Sequence, residues 1–311
     1  MKGMRALVTG AAGLVGSNLC LELQKRGHEV VGLDDFSVGT FENLWDFKGD
    51  VVAADLRDPA EWQGKVGKVD VVFHQAACTD TTIMDQKFMM SENVEGFRTL
   101  LEWAVENKVR KVVYASSAGV YGDRPVPQRE TDEPKPLNVY AFSKMVMESV
   151  ARDFAKKHKK LELVGLRYFN VFGPRETHKK KAASMAYQLA QQMKAGKRPR
   201  IFEFGEQYRD FIYVQDVVEA NILAARSGVR GVFNVCTGKK STFNDMIACL
   251  NETLGLKLEP DYFKNPYSFY QNETLGDPKL AKARLGFAAR FDLRSGIRDY
   301  FKGEKIAAGV R

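Results

Sequence analysis

Three side chains in the middle of the sequence have the types and spacing needed to move a proton. Tyr140 and Lys144 are four residues apart in a predicted helix, so both lie on one face of it. A phenol is a poor base at neutral pH, but a neighbouring ammonium group lowers its pKa and stabilises the phenolate. Ser117 ends the preceding predicted strand, where its hydroxyl would hold a substrate oxygen beside the tyrosine. This pattern predicts acid–base catalysis.

A glycine-rich turn near the start of the chain predicts a binding site for a dinucleotide cofactor. Gly10, Gly13 and Gly16 follow a short β-like run and open an amphipathic helix. The first glycine permits a tight turn, the second lets the backbone approach a pyrophosphate, and the third lets helix and strand pack closely. Phosphate charge would be held by the exposed amides and the helix dipole. A helix-opening turn without a ligand is the alternative, but the strand–turn–helix context favours a bound dinucleotide with contacts from Gly10, Gly13, Leu14, Val15 and Gly16.

Carboxylates after the next two strands predict which dinucleotide is bound. Asp34 ends the second strand, where it would accept hydrogen bonds from both ribose hydroxyls and repel a 2′-phosphate. Asp35 follows it, and one of the two could serve only the turn. Asp55 with Leu56 would contact adenine, although a plain loop carboxylate fits Asp55 nearly as well. No lysine or arginine lies between Asp34 and Phe41. We therefore expect NAD, with NADP as the alternative.

Strands and helices alternate up to about residue 168, which predicts a doubly wound parallel sheet, the Rossmann form of an α/β fold. Residues 1–168 would form the dinucleotide-binding domain. Residues 169–311 would form a smaller, mainly substrate-binding domain, with some segments returning to the main sheet. The predicted elements include a long helix over Gln86–Asn107, a helix over Tyr140–Lys156, and C-terminal strands near Arg200–Phe204, Phe211–Val214 and Gly231–Val235.

Taken in chain order, the Gly-x-x-Gly-x-x-Gly turn, the Ser116–Ser117 pair and Tyr140-x-x-x-Lys144 resemble the extended short-chain dehydrogenases. The resemblance spans nearly the whole chain. Members of this family convert nucleotide sugars as epimerases, dehydratases or reductases. The resemblance implies that Ser117 and Tyr140 are catalytic and that Lys144 holds the nicotinamide ribose. Cofactor contacts are also expected from Ala76, Ala77 and Asn93.

The resemblance extends to a predicted substrate segment, Leu166–Arg175. Within it, Asn170 would meet the phosphates of a nucleotide sugar. Arg209 would pair with the diphosphate, because a guanidinium donates twice to phosphate oxygens. A surface ion pair with Asp210 is the alternative for this arginine. Tyr270 is expected to contact the substrate as well.

Two further comparisons narrow the reaction. Dehydratases of this family carry an Asp-Glu pair after the residue that matches Ser117, but this chain has Ala118 and Gly119, so dehydration is disfavoured. The segments 77–82, 135–140 and 173–179 are similar to those of the family's heptose 6-epimerases. That similarity implies inversion at C6 of a nucleotide-linked heptose by transient hydride transfer to a tightly bound nicotinamide. It also implies that Lys179 is a second acid–base group, against the alternative of a solvated basic run over Lys179–Lys181.

Departures from the heptose enzymes keep other functions open. Those enzymes mostly use NADP, they have a glycine where Lys180 stands, and they have an arginine where Phe269 stands. A UDP-hexose 4-epimerase is therefore the main alternative. A net dehydrogenase or reductase would use the same residues while consuming free cofactor. A non-catalytic dinucleotide-binding regulator is disfavoured, because it needs only the glycine-rich turn.

Composition limits the remaining classes. The net charge of +8 and the pI of about 9.1 suit anionic small molecules. The two basic runs, Lys156–Lys160 and Lys179–Lys181, carry no interleaved aromatic residues or nucleic-acid motif. We therefore expect no nucleic-acid partner. Four cysteines without a C-x-x-C pair and four histidines without metal spacing predict no metal site. No signal peptide or membrane-length apolar run is apparent. We expect a cytoplasmic homo-oligomer that binds no membrane.

Overall fold

The computed structural model describes residues 3–266 and 273–303, with only the main chain at Lys181. The strands are β1 Arg5–Thr9, β2 Glu29–Asp34, β3 Asp50–Ala53, β4 Val71–His74, β5 Lys111–Ser117, β6 Glu162–Tyr168, β7 Asn170–Phe172, β8 Arg200–Phe202, β9 Tyr208–Arg209, β10 Phe211–Tyr213, β11 Gly231–Val235, β12 Ser241–Thr242 and β13 Asp261–Phe263. The α-helices are α1 Leu14–Lys25, α2 Pro59–Val66, α3 Gln86–Met90, α4 Gly96–Glu106, α5 Val139–Lys157, α6 Met185–Lys194, α7 Val214–Arg226, α8 Phe243–Leu254, α9 Lys279–Leu285 and α10 Leu293–Tyr300.

Within these residues, seven parallel strands form the central sheet in the order β11-β6-β5-β4-β1-β2-β3. The sheet is covered on both faces, so the middle of its strands β1, β2, β4, β5 and β6 is largely apolar rather than alternately polar. In β1, Ala6 and Val8 enter the core on one face and Leu7 enters the core on the other. The predicted doubly wound α/β fold is confirmed.

Helices from distant parts of the chain build the two core layers. One layer packs α1, α7 and α9 on the sheet, and the other packs α2, α4 and α5. The edge-to-face pair Trp62–Trp103, with ring centroids 5.2 Å apart, joins α2 to α4 in the second layer. Because α5 is fixed on this face, its N-terminal residues lie beside the carboxyl end of β5, to which Lys144 is hydrogen-bonded.

The C-terminal part of the chain divides its residues between two places. The strand β11 pairs with β6 at the edge of the central sheet, and α7 covers that sheet, so residues 1–168 do not complete the sheet alone. A third core, formed around α6, α8 and α10, holds the remainder together beneath β7 and β10. This arrangement sets the smaller lobe against the carboxyl ends of the sheet strands.

None of the helices in the described ranges is both long enough and apolar enough to cross a bilayer.

Candidate active site

A cleft of about 1060 Å³ opens at the carboxyl ends of the central strands, between the sheet and the smaller lobe. Ligands of doubly wound folds bind at this edge, where the loops that follow the strands converge. Of the residues predicted from the sequence, the cleft is lined by Gly10, Gly13, Leu14, Val15, Gly16, Asp34, Asp35, Asp55, Leu56, Ala76, Ala77, Ser117, Tyr140, Lys144, Asn170 and Lys179.

The glycine-rich turn forms a close-fitting cradle at one end of the cleft. Gly10 has φ +66°, and a Cβ there would lie 2.6 Å from the backbone nitrogen of Ala76. A Cβ on Gly16 would lie 2.0 Å from the carbonyl oxygen of Gly10. Gly13 caps the N-terminus of α1 with extended backbone, which leaves the first amides of the helix facing the cleft. The turn therefore has the shape and polarity of a pyrophosphate site.

Both aspartates after β2 line the cleft, and both hold their own loop. Asp34 is buried, and its carboxylate accepts hydrogen bonds from the amides of Ala12 at 2.8 Å and Phe36 at 2.9 Å. Burial raises the pKa of Asp34, and these two amides oppose that rise. Asp35 is exposed and accepts from the amide and hydroxyl of Ser37. Each carboxylate therefore serves the turn, and each faces the place expected for the adenosine ribose.

At the adenine end, the structure adds a cation that the sequence reasoning missed. The Arg57 guanidinium contacts the Asp55 carboxylate at 2.5 Å and the Glu92 carboxylate at 2.5 Å, and Arg57 and Glu92 line the cleft beside Leu56. The hydrogen bond from Arg57 lowers the pKa of Asp55. Arg57 directly follows the predicted Asp55–Leu56 pair, which was the available signal. Its pairing with Glu92, 35 residues later, is a tertiary contact.

A π-helical turn, Ser91–Glu95, interrupts the predicted long helix between α3 and α4 and directs two side chains to different partners. Glu92 faces the cleft, whereas Asn93 is fully buried. The amide of Asn93 accepts from the Cys78 amide at 2.8 Å and donates to the Cys78 carbonyl at 3.0 Å and to Ser143 Oγ at 2.8 Å. Asn93 was predicted at the cofactor, but it does not line the cleft. Instead it ties the loop after β4 to α5.

Three of the four predicted catalytic side chains lie together on one wall of the cleft. The Asn138 side chain caps α5 by accepting from the Ala141 amide at 2.8 Å, so Tyr140 and Lys144 lie in its first turns. Lys144 is buried, with its Nζ 5.9 Å from the Tyr140 ring centroid and donating to the Ala115 carbonyl at 3.0 Å. Ser117, at the end of β5, lines the same wall as Tyr140.

Burial tunes both titratable groups on this wall. It lowers the pKa of Lys144 to about 7, because desolvation disfavours the ammonium. It raises the pKa of Tyr140, and the neighbouring Ser117 hydroxyl opposes that rise. A positive charge brought next to Tyr140 would favour the phenolate in the same way as any nearby cation. The wall can therefore donate or accept a proton at the Tyr140 oxygen.

A second lysine faces the same cleft from the smaller lobe. Lys179 lies in the 3₁₀ turn Thr177–Ala182, is half-buried, and has its pKa lowered by burial, with the charge of Glu176 opposing. Its amide donates to the Glu176 carbonyl at 3.0 Å. The Glu176 carboxylate is fully buried and accepts from Gly173 and Ser184, which closes the loop on itself. The cleft is therefore lined by titratable groups from two elements, α5 and the Thr177–Ala182 turn.

The predicted substrate-binding residues differ in where they lie. Asn170 lines the cleft, with Nδ2 donating to the Asp210 carbonyl at 3.1 Å and to Thr274 Oγ1 at 2.9 Å. Arg209 is buried outside the cleft lining; its Nη1 donates to the Tyr208 carbonyl, and its guanidinium lies 5.7 Å from a phenylalanine ring on α8. Tyr270 lies outside the described residues.

Across the described part of the chain, no cluster of histidine, cysteine, aspartate and glutamate has the arrangement of a metal site. The chemistry available is that of a dinucleotide cradle beside a tyrosine–lysine–serine set. On a doubly wound parallel sheet, this combination defines an enzyme of the short-chain dehydrogenase type.

Comparison with known proteins gives the family. The chain belongs to the NAD dependent epimerase/dehydratase family, whose model matches residues 6–236. A curated relative, ADP-L-glycero-D-manno-heptose-6-epimerase from Alkalilimnicola ehrlichii, is 35% identical over 324 residues, covering 98% of this chain and 98% of the relative.

Solved structures agree with this assignment. The ADP-L-glycero-D-manno-heptose-6-epimerase of Helicobacter pylori is 42% identical, with a TM-score of 0.89 over 96% of each chain. The UDP-glucose 4-epimerase of Thermus thermophilus, in complex with NAD, is 30% identical, with a TM-score of 0.84 over 96% of this chain and 99% of that chain. The predicted family and enzyme class are confirmed, and dependence on NAD is confirmed for the family.

Proposed function

We propose that this protein is a nucleotide-sugar epimerase that inverts C6 of an ADP-linked heptose. The observation that carries this proposal is that two titratable groups from different elements, Tyr140 on α5 and Lys179 on the turn Thr177–Ala182, line one cleft. The names of the Alkalilimnicola and Helicobacter proteins, which match nearly the whole chain, support the substrate.

The cleft fits the dinucleotide on which the family depends. Gly10 and Gly16 leave a cradle that a Cβ would fill, and the N-terminus of α1 lies beside it. In our proposal, Gly10–Gly16 hold the pyrophosphate, Asp34 and Asp35 the adenosine ribose, Asp55 and Leu56 the adenine, and Ala76 and Ala77 the nicotinamide half, whose ribose Lys144 holds. When bound, NAD supplies a reversible hydride acceptor.

The residues of the chain handle the proton. The Tyr140 oxygen takes the proton from the C6 hydroxyl of one configuration, and Ser117 holds the sugar oxygen in reach. After inversion, the hydroxyl of the product points in a different direction, which one fixed base does not serve. Lys179 Nζ, from the smaller lobe, serves the second configuration, and burial lowers its pKa, which favours the neutral amine that can accept a proton.

The phosphates of the nucleotide sugar are proposed to contact Asn170 and Arg209, and Tyr270 is proposed to contact the substrate. Asn170 already faces the cleft through β7. Arg209 lies in β9, directly before Asp210, and the carbonyl of Asp210 accepts a hydrogen bond from Asn170.

The test is direct conversion followed by NMR. Purified protein is incubated with the D-glycero and the L-glycero forms of ADP-manno-heptose and separately with UDP-glucose and UDP-galactose. We expect interconversion of the two heptose epimers without net change in nicotinamide absorbance. Conversion of the UDP-hexoses alone would replace the proposal with 4-epimerisation, and stoichiometric reduction of added NAD would replace it with a dehydrogenase.

The 4-epimerase is the second candidate, because a specific observation favours it. The adenosine end of the cleft carries Asp34, Asp35, Asp55 and Glu92, and this acidic surround suits NAD, which is bound in the Thermus UDP-glucose 4-epimerase. The finer expectations of a cytoplasmic location, a homo-oligomer and no nucleic-acid partner belong to this proposal and stay predictions.

A further inference from the structure

A buried asparagine outside the predicted site connects the glycine-rich turn to the loop that carries Lys179. Asn43 is 8% exposed and lies in the 3₁₀ turn Phe41–Leu44 that follows the adenosine loop. Its Nδ2 donates to the carbonyl of Ala12, inside the glycine-rich turn, at 2.8 Å. The same nitrogen lies 3.2 Å from the Arg175 carbonyl and 3.1 Å from His178 Nδ1, next to Lys179. One side chain thus touches the dinucleotide cradle and the loop of the second lysine.

The surroundings of this amide fix its orientation. Two carbonyl oxygens, from Ala12 and Arg175, face the same end of Asn43, so that end must be the NH₂ donor. His178 Nδ1 lies in contact with the same NH₂ group at 3.1 Å. The pKa of His178 is lowered by burial first and by Lys179 second, against a hydrogen bond with the Arg175 carbonyl, which is consistent with a neutral ring.

The loop that receives these contacts is strained on both sides of Lys179. Arg175 has φ +73° and Lys180 has φ +49°, a region that non-glycine residues occupy only when surrounding contacts impose it. Asn18, on α1, holds the beginning of the loop by donating to the Pro174 carbonyl and accepting from Arg175 Nη1, both at 3.0 Å. Asn43 holds its middle. Loss of Asn43 alone therefore leaves the loop attached but releases His178 and Lys179.

We infer that Asn43 is a positioning residue for the reaction: its amide ties the loop of His178 and Lys179 to the glycine-rich turn and so holds Lys179 at the cleft. This inference rests on the proposed function, because it assigns Lys179 a proton-transfer role. Ala12 keeps a second donor, the amide of Thr40 at 3.3 Å, so the glycine-rich turn survives without the Asn43 side chain.

The test is a double-mutant cycle on whichever nucleotide sugar the protein converts. Asn43→Ala should lower kcat about tenfold to a hundredfold, as expected when positioning of an acid–base group is impaired. In a Lys179→Met background, Asn43→Ala should cost less than about twofold more, because the group it positions is already gone. Full additivity of the two losses would overturn the inference. An unchanged kcat in Asn43→Ala would overturn it as well.

Two readouts do not depend on turnover. The Kd of NAD should change less than about threefold in Asn43→Ala, and a parallel loss of NAD affinity would assign Asn43 to the cradle instead. In protein labelled with ¹⁵N-histidine, the ring signals of His178, assigned with a His178→Gln variant, should shift in Asn43→Ala, and unchanged signals would contradict the inference. If Asn43→Ala fails to fold, Asn43→Asp, which keeps the size but cannot donate, takes its place in both readouts.

The matched control is Glu42→Gln, which changes an exposed neighbour in the same turn and should leave kcat within about twofold of wild type. These experiments also distinguish a failure of the proposed function from a failure of the role assigned to Asn43. If no nucleotide sugar is converted, the proposed function fails while the NAD titration and the histidine spectrum still decide about Asn43. If a sugar is converted and the cycle is additive, the function stands and the role of Asn43 falls.

Discussion

The two lysines of the cleft are held in place by different means. Lys144 lies on α5, a nineteen-residue helix packed on the sheet, and its Nζ is fixed by the Ala115 carbonyl. Lys179 lies in a short loop flanked by positive φ angles at Arg175 and Lys180. Burial lowers the pKa of both. A lowered lysine pKa is thus reached once in regular secondary structure and once in a loop held by tertiary contacts.

The two lysines should therefore differ in how easily a single substitution displaces them. The place of Lys144 follows from helical periodicity, the Asn138 cap and the packing of α5, so a single side-chain loss nearby should move it little. The place of Lys179 depends on Glu176, Asn18 and Asn43, which come from the loop itself, from α1 and from the turn after β2. Perturbations should therefore reach Lys179 more readily than Lys144.

The largest expected effect is on the α5 side. Tyr140→Phe keeps the ring but removes the proton-carrying oxygen, so kcat should fall by about 10²–10⁴-fold. The Kd of NAD should stay within a few-fold of wild type, because the phenyl ring and Lys144 remain. Steady-state kinetics and a fluorescence titration measure the two quantities. Activity within a few-fold of wild type would remove Tyr140 from the reaction.

The next effect tests the loop side and depends on the substrate. Lys179→Met should lower turnover of ADP-heptose by about 10²-fold or more if it serves the second configuration of C6. In a 4-epimerase, the sugar rotates past Tyr140 alone, so the same variant would keep its UDP-hexose activity. NMR assays of both substrates compare the two outcomes. Unimpaired heptose epimerisation by Lys179→Met would leave Lys179 as part of a solvated basic run.

A smaller effect concerns stability and its dependence on pH. The pKa of Lys144 is about 7 in the folded protein and near 10.5 when unfolded, so the unfolded state binds more protons between those values. Stability from this group therefore rises with pH across that window, and the full cost of its burial is present below pH 7. We expect cofactor-free Lys144→Met to exceed wild type in stability at pH 6, with a gain that shrinks toward pH 10.

Urea unfolding at several pH values measures this gain. The gain in stability is at most a few kcal/mol, since each pKa unit corresponds to about 1.4 kcal/mol. Loss of the hydrogen bond from Lys144 to the Ala115 carbonyl reduces this gain. The same variant should weaken NAD binding, whereas Lys179→Met should not. A Lys144→Met gain that grows with pH, or equal NAD affinities in the two variants, would contradict the contrast between the lysines.

The smallest expected effect is the choice of cofactor. NAD should bind about tenfold more tightly than NADP, or about 1.4 kcal/mol, because a 2′-phosphate would meet Asp34 and Asp35 while Arg57 is already paired with Asp55 and Glu92. Titration of cofactor-stripped protein with each dinucleotide measures the ratio. Tighter binding of NADP would mean that Arg57 exchanges its carboxylate partners for the phosphate.

Much of the cofactor end could be predicted because its signals are local. The glycine spacing, Asp34 at the end of β2 and Asp55 after β3 each follow from one strand–turn unit. Arg57 was missed, although it lies two residues after Asp55, because its ion pair with Glu92 forms only in the folded chain. The burial of Asn93 was not foreseen, since a π-helical turn shifts the face to which each residue points.

By itself, the sequence determined the parallel sheet, the dinucleotide turn and the Tyr140–Lys144 spacing. Each depends on periodicity or on neighbouring residues, which the chain carries in its own order. Tertiary structure alone decided which wall receives Lys179, that Arg209 is buried away from the cleft lining, and that Asn43 joins Ala12 to His178. The contacts of Asn43 join residues more than thirty positions apart, so their geometry exists only after the sheet and both lobes have packed.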